Sequence, residues 1–420
     1  MNALIKSATI VDTKSDFHNK TVDILIENGL IKNMDYHIEN TNNFQEITYP
    51  NLHVSQGWFD SSVSFGEPGY EERETIANGL KTAALSGFTQ VALNPNTYPV
   101  TDTASAIAFI KDRAKDNAVS LLPIGALTKL SAGKDMAELF DMKNAGAVAF
   151  GDYKNPISNP NILKIALQYA QGFNALVHSF PFNKDVSGQG VMNENITSTS
   201  IGLKGIPNLA EDLQLARDLF VLEYTGGKLH IPTISTATSV ALIREAKKKN
   251  LDVSCSVAIH NLCLTDEVLK DFNTHYKVMP PLRTQSDVDA LLEGLKDGTI
   301  DMVTSDHNPI DVEHKKVEFD HAKYGAIGLE SAFGALNTVF STKKTIDLLT
   351  KGKQRFGAET HPVAIGEKAN ITLFNPNGKI TFTKDHIIST SKNAIFEGHT
   401  LKGHAYGVIS NNQLVLKSQP

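Results

Sequence analysis

At 420 residues the chain is long enough for a large α/β domain plus a smaller one. Forty basic against 46 acidic side chains give a net charge of −6, which offers no basic face to nucleic acid or to an anionic membrane. Two cysteines, Cys255 and Cys263, are too few for a disulfide framework or a cysteine-based zinc cluster. Met1 to Ile10 lacks the pattern of a signal peptide and no window reaches about 18 apolar residues, so a cytoplasmic protein is expected.

Leu4 to Val11 and Thr21 to Glu27 alternate apolar and polar residues, and Asn28-Gly29 precedes Leu30-Ile31. That is the signal of half-buried strands joined by a tight hairpin. The far end repeats it, with β segments expected at Ala369 to Phe374, Ile387-Ile388 and Gly407 to Leu416, the last with a turn at Asn411-Asn412. A small β domain built from both termini, residues 1–53 and 363–420, is expected to flank a larger domain of residues 54–362.

Within that larger stretch, short apolar β runs alternate with helical segments. The runs are Val91 to Leu93, Ser120 to Ile124, Ala147 to Phe150, Ala175 to Val177, Lys228 to Ile231, Asp252 to Ser256 and Met302 to Thr304. Helices are expected over Glu74 to Ser86, Thr103 to Lys115, Asn161 to Tyr169, Leu209 to Tyr224, Ser239 to Lys248 and Gln285 to Asp297. Seven or eight such repeats over roughly 300 residues suit a (β/α)8 barrel, whose functional groups sit on the loops after the strands. A doubly wound open sheet is the alternative, but no Gly-x-Gly-x-x-Gly turn follows the first of these strands.

The stretch from Gly57 to Gly69 organises the rest. An apolar run, Val54 to Phe59, leads into Asp60, Ser62 and Ser64, which alternate along one strand and so share a face. At the end of a buried parallel strand the trio would converge on the mouth of a barrel.

This stretch resembles the first barrel strand of dihydroorotases in the amidohydrolase superfamily, which reads Asp-x-His-x-His-x-Arg-Glu-Pro-Gly. Here Asp60 and Glu67-Pro68-Gly69 persist, while Ser62, Ser64 and Gly66 stand where the two histidines and the arginine are expected. Other segments follow in family order: Pro95-Asn96-Thr97, Phe150-x-Asp152, His178, Gly202 to Pro207 with Glu211, Lys228 to Ile231, Pro280 to Arg283, Asp306-His307-x-Pro309 and Gly328-Leu329-Glu330. The resemblance implies an amidohydrolase-type TIM barrel with a small β-sandwich domain formed by both termini.

Hydrolysis of a cyclic amide on that scaffold requires metal to polarise the carbonyl and to supply hydroxide. The resemblance implies a zinc site of four histidines, a bridging carboxylate and an aspartate that doubles as acid/base. In this sequence Ser62, Ser64 and Thr233 replace histidines, leaving Asp60, Asp152, His178 and Asp306 as remnants. Hydroxyls are poor zinc ligands beside imidazole. Substrate contacts are eroded in parallel: Gly66, Met279 and Ile310 replace an arginine, an asparagine and a histidine, and Asn96 alone is retained. No cofactor is therefore expected.

The plainer readings have their own weight. His178 reads sooner as a hydrogen-bonded barrel-mouth histidine and His230 as a satisfied core histidine than as ligands, Asp306 reads as readily as a carboxylate tied into backbone amides, and Ser62 and Ser64 lack the surroundings of a nucleophile. The resulting expectation is a non-catalytic dihydroorotase-like protein of pyrimidine biosynthesis, partnering aspartate carbamoyltransferase or itself. The alternative is an active dihydroorotase or other cyclic-amide hydrolase of altered metal content, with zinc and with Asp306 as acid/base.

Overall fold

A computed structural model describes residues 1–418. The chain opens with β1 (Ala3–Ile10), β2 (Thr21–Glu27), β3 (Leu30–Asp35), β4 (Gln45–Ile47) and β5 (His53–Gln56). β1, β2 and β3 pair antiparallel, and Asn28 and Gly29 turn between β2 and β3 at φ 52° and 75°, the left-handed conformation that an Asn-Gly hairpin supplies. β4 and β5 both run parallel to β1.

Gly57 passes the chain from this sheet to a second one. A Cβ there would lie 2.1 Å from Thr89 Oγ1 and 2.2 Å from Asn370 Oδ1, so no larger residue fits without displacement. The apolar run read as one lead into Asp60 is consequently split. Val54 to Gln56 pair with β1 and with the returning C-terminal strand, and β6 (Trp58–Val63) opens the second sheet.

That sheet continues through β7 (Phe88–Leu93), β8 (Ser120–Gly125), β9 (Ala149–Phe150) and β10 (Leu176–His178). A separate two-stranded pair, β11 (Met192–Asn193) and β12 (Gly205–Ile206), follows, and β13 (Lys228–Ile231), β14 (Val253–Ala258) and β15 (Met302–Thr304) complete the series. The order is β6-β7-β8-β9-β10-β13-β14-β15, every neighbouring pair is parallel, and a bridge from Val63 to His307 nearly closes the ring. Strands buried on both faces read as short continuous apolar runs, which is why they were visible in the sequence.

The expected helices occur at Ile76–Leu85, Ala104–Arg113, Pro160–Gln171, Leu209–Thr225, Ala237–Lys248 and Gln285–Lys296. Thr75, Thr103, Asn159 and Thr236 cap four of them by accepting a backbone N–H. Among the described residues, three further helices of seven or more residues, Leu139–Ala145, Leu329–Val339 and Thr342–Lys351, lie outside the expected set. Leu329–Val339 is buried along most of its length.

Inside the barrel, Phe59, Ala92, Ile124, Ala149, Leu176 and Met302 pack around Phe356, which the short 3-10 turn Gly352–Phe356 inserts among them. Phe356 lies 5.3 Å from the Phe59 ring and 5.5 Å from His178. Arg355 anchors the turn by donating to Ser254 Oγ at 2.8 Å and to the Leu229 carbonyl at 2.9 Å.

The chain then returns to the first sheet as β16 (Ile371–Thr381), β17 (Thr400–Ser410) and β18 (Gln413–Leu416), giving the order β18-β17-β16-β5-β1-β2-β3 with β4 beside β1. Asn411 and Asn412 make the expected turn, both at positive φ. Ile387-Ile388 does not form the expected strand. It follows a 3-10 turn, Lys384–His386, and its neighbourhood is tied down by Lys392, whose ammonium donates to the Ile387 and Ser389 carbonyls. Trp58 joins the two sheets, stacked on Phe333 at 4.7 Å and packed against Phe374 of β16 at 5.6 Å. Among the described residues no helix is long and apolar enough to cross a membrane.

Candidate functional site

The strand ends of β6, β9, β10, β13 and β15 surround a cavity of about 20 Å³. Ser61, Ser62, Asn94, Tyr153, Lys154, His178, Thr233 and Asp306 are on its wall. Tyr153, Thr233 and Asp306 take φ values of 54°, 51° and 48° just past their strands. For a β-branched threonine this is a strained conformation. It turns each segment sharply where the barrel mouth begins.

The expected alternation does not hold to the strand end, because the register slips between Asp60 and Val63: Ser61 and Ser62 are both on the wall and Ser64 is not, and Ser62 and Ser64 are occupied with amides. Asn94 Nδ2 donates to Ser62 Oγ at 3.0 Å and to Ser64 Oγ at 3.4 Å, while Ser64 Oγ donates to Asn96 Oδ1 at 3.0 Å. Asn96, the retained substrate contact of the sequence reading, thus holds a serine and is not on the cavity wall. Asp60 staples the barrel seam. Its Oδ1 accepts from Ser62 N at 3.0 Å and from the Thr304 hydroxyl, and its Oδ2 accepts from Ser305 N at 2.9 Å. Burial nevertheless holds its pKa above the usual carboxylate value against those donors.

Asp152 is also committed elsewhere. It accepts Thr128 N at 2.9 Å and the Thr128 hydroxyl, and burial raises its pKa to about 6 despite these bonds. His178 is buried, its Nε2 has no hydrogen-bond partner among the described residues, and burial pushes its pKa down to about 3, with Arg355 adding to the effect. Its ring lies 4.8 Å from that of His230, whose two nitrogens meet Ser254 Oγ at 2.9 Å and Ser256 Oγ at 3.3 Å. Asp306 is paired with Lys154: the ammonium lies 2.7 Å from Oδ2, with 2% of the Asp306 side chain and 14% of the Lys154 side chain exposed. Burial alone would lower the Lys154 pKa, but Asp306 beside it, followed by Tyr153, holds it above the ordinary lysine value. The ammonium also sits 5.1 Å from the Tyr153 ring centroid.

Lys154 and Asn94 were missed from sequence because neither belongs to a recognisable motif. The one available signal was position, since a lysine two residues beyond a strand-end aspartate falls on the loop side of a barrel.

Zinc does not fit this donor set. Asp152 is turned to Thr128, Asp306 to Lys154, Ser62 and Ser64 to asparagine amides, and among the described residues no group of three or more His, Cys, Asp or Glu is placed to hold a metal ion. The positions expected to grip substrate do not converge either. Met279 packs with Phe180, Ile206 and Ala210, and Ile310 is buried away from the cavity wall. A Cβ on Gly66 would stand 1.7 Å from the Tyr70 carbonyl oxygen, so the turn that follows β6 leaves no space for a side chain there.

Several segments that carry the family pattern have structural duties. Arg283, almost fully buried, donates to Ser235 Oγ at 3.1 Å, Asn193 Oδ1 at 2.9 Å and the Ile206 carbonyl at 2.9 Å. Glu211 beside it accepts from Ser235 N at 2.7 Å and Ser239 Oγ at 2.7 Å. His307 Nδ1 accepts from the Gly328 and Leu329 amides at 3.2 and 3.4 Å, which ties the strand end to its helix.

A model of the Dihydro-orotase-like family matches residues 53–239. Over nearly its full length the chain is similar to proteins named dihydroorotase. The one from Pelotomaculum thermopropionicum is 40% identical over 426 residues, covering 100% of this chain and 99% of that one. The one from Thermoanaerobacter sp. (strain X514) is 38% identical over 410 residues, covering 96% and 94%. Among solved structures, L-hydantoinase (dihydropyrimidinase) from Arthrobacter aurescens superposes with a TM-score of 0.82 at 21% identity, covering 100% of this chain and 98% of that one. Dihydropyrimidinase from Brevibacillus agri NCHU1002 gives 0.82 at 22% identity, covering 99% and 96%. At that identity the likeness extends to the fold, an amidohydrolase-type barrel with a β-sandwich.

Proposed function

The chain belongs to the dihydroorotase-like family, and from that premise we propose that it serves pyrimidine biosynthesis without hydrolysing dihydroorotate, as a structural or regulatory partner of aspartate carbamoyltransferase. The observation that carries the reading is the Lys154–Asp306 ion pair. In a metal-dependent hydrolase the acid/base aspartate must face the metal-activated nucleophile and the scissile amide. Here the cation that Asp306 faces is part of the chain, and a primary ammonium paired at 2.7 Å neither activates water nor polarises a carbonyl as a Lewis acid does.

Size supports the same reading. Pockets for small molecules run to roughly 300–1,000 Å³. The cavity at the barrel mouth, about 20 Å³, has room for about one water. A second reading, a cyclic-amide hydrolase of altered metal content using Asp306, draws on the one unpaired oxygen of that residue, Oδ1, and on the unpaired Nε2 of His178.

Two measurements separate the readings. Metal analysis of the purified protein, paired with a dihydroorotate hydrolysis assay in added zinc, should return neither two stoichiometric zinc ions nor turnover; finding both would end the non-catalytic reading. Co-purification with aspartate carbamoyltransferase should persist in Asp306→Ala, and an interface of more than about 1,000 Å² is expected. A protein that elutes alone from extract, with no aspartate carbamoyltransferase retained, removes the scaffolding role.

A further inference from the structure

A cleft of about 850 Å³ opens where the β1–β2 loop meets the helix Thr342–Lys351 and the 3-10 turn after it. It lies near the start of β6, at the end of the barrel opposite the strand ends that carry Ser62, Asp152 and Asp306. Its volume falls in the range of small-molecule sites. Its wall carries five lysines against two aspartates.

The placement of those charges is uneven. Asp12 is consumed internally, accepting both contacts of the Gln56 amide and the Val363 N–H at 2.8 Å. Lys343 is paired with Asp347 at 2.8 Å, and Lys344 donates to the Leu295 carbonyl at 2.8 Å. Lys14 and Lys351 are exposed on the wall.

Lys353 stands apart. It lines the cleft, its residue is 1% exposed, and its ammonium has no hydrogen-bond partner among the described residues. On the same wall His18 Nδ1 is a second buried polar atom without a partner. A buried ammonium left unpaired is costly, and such groups call for a missing partner. For a cation flanked by further lysines that partner is an anion.

The rest of the wall narrows the class. No Phe, Tyr or Trp is on it to stack a base, whereas Thr13, Thr360 and Gln354 offer hydroxyl and amide hydrogen bonds and the Thr350 hydroxyl, which donates to the Ile346 carbonyl at 2.8 Å, can still accept one. We infer that the cleft binds a small phosphorylated, hydroxyl-rich metabolite, a sugar phosphate in chemical class, whose phosphoryl group meets Lys353 and whose hydroxyls meet the threonines. This site is independent of the barrel mouth and of the function proposed for it.

Burial holds the Lys353 pKa down at about 8, with Asp12 opposing that shift and Lys14 adding to it. An anion that needs the protonated lysine therefore binds more weakly as pH rises past that value. His18, Lys343, Lys344, Asp347 and Lys351 are the other ionisable groups on the cleft wall.

The test is calorimetric titration of the full-length protein with ribose 5-phosphate and with sulfate, whose charge is constant over the range used. Ribose 5-phosphate should bind saturably and more tightly than sulfate, and Lys353→Met should weaken both at least about tenfold. Sulfate affinity should fall about tenfold from about pH 7 to about pH 9, following the deprotonation of a group with a pKa of about 8. No saturable binding of either probe to the wild-type protein by about 10 mM, or equal binding to Lys353→Met, overturns the inference. Sulfate binding as tightly as ribose 5-phosphate overturns the sugar assignment.

Discussion

Lys154 Nζ lies 2.7 Å from Asp306 Oδ2, an ion pair between residues 152 positions apart that fills the barrel mouth with the chain's own cation. Removing one partner strands the other as an uncompensated buried charge, whereas removing both does not. Lys154→Met is expected to cost about 3–5 kcal/mol in denaturant unfolding, and Lys154→Met with Asp306→Asn appreciably less. A single-variant cost under about 1 kcal/mol would mean that the pair behaves as an exposed one.

Rebuilding the family's histidines should not by itself restore a metal site. In Ser62→His, Ser64→His, Thr233→His the Lys154 ammonium still holds Asp306, and Asp152 still faces Thr128. Zinc uptake is expected only when Lys154→Gly is added. Turnover should stay far below the enzyme range of about 1–10³ per second, because Gly66, Met279 and Ile310 still offer no substrate grip. Zinc bound stoichiometrically by the three-histidine variant alone would show that Lys154 yields readily.

Gly66→Arg, the change that would restore the missing guanidinium, is expected to damage the fold. Its Cβ would stand 1.7 Å from the Tyr70 carbonyl oxygen, inside a turn where Gly66 N donates to the Glu74 carbonyl at 2.8 Å and Tyr70 N donates to the Gly66 carbonyl at 2.8 Å. Overpacking of this kind costs about 1–3 kcal/mol and here falls on backbone, so a loss at the upper end of that range is expected. Melting curves of Gly66→Ala and Gly66→Arg would read it, and wild-type melting in either would contradict the packing argument.

Acid should destabilise the protein through His260. Burial, reinforced by the charge of Lys154, pushes its pKa from 6.5 down to about 3. Below pH about 6.5 the unfolded chain binds the proton and the folded chain does not, so stability present above that pH is lost as pH falls toward about 3. This one residue should remove about 2 kcal/mol by about pH 5. Unfolding curves of His260→Leu across that range should slope less steeply than wild type. Parallel slopes would mean that His260 is solvated in the folded protein.

The barrel and the terminal sheet were legible in the sequence because both rest on local regularities. Buried parallel strands are unbroken apolar runs, half-buried hairpins alternate around Asn28-Gly29, and threonine caps mark the helix starts. That Ser62, Ser64 and Thr233 stand where the family resemblance implies histidines was equally legible, since residue identity at a strand end is local information. What only the tertiary structure decided is where each surviving polar group finds its partner. Asp60 meets Thr304 across 244 positions, Lys154 meets Asp306 across 152, and Lys353 meets none while lining a cleft shared with the β1–β2 loop. A carboxylate on a strand reads the same whether it faces a metal, a threonine or a lysine. The choice is made by the competition of desolvation against whichever charge or donor the barrel brings within about 3 Å, and that neighbour is set by topology.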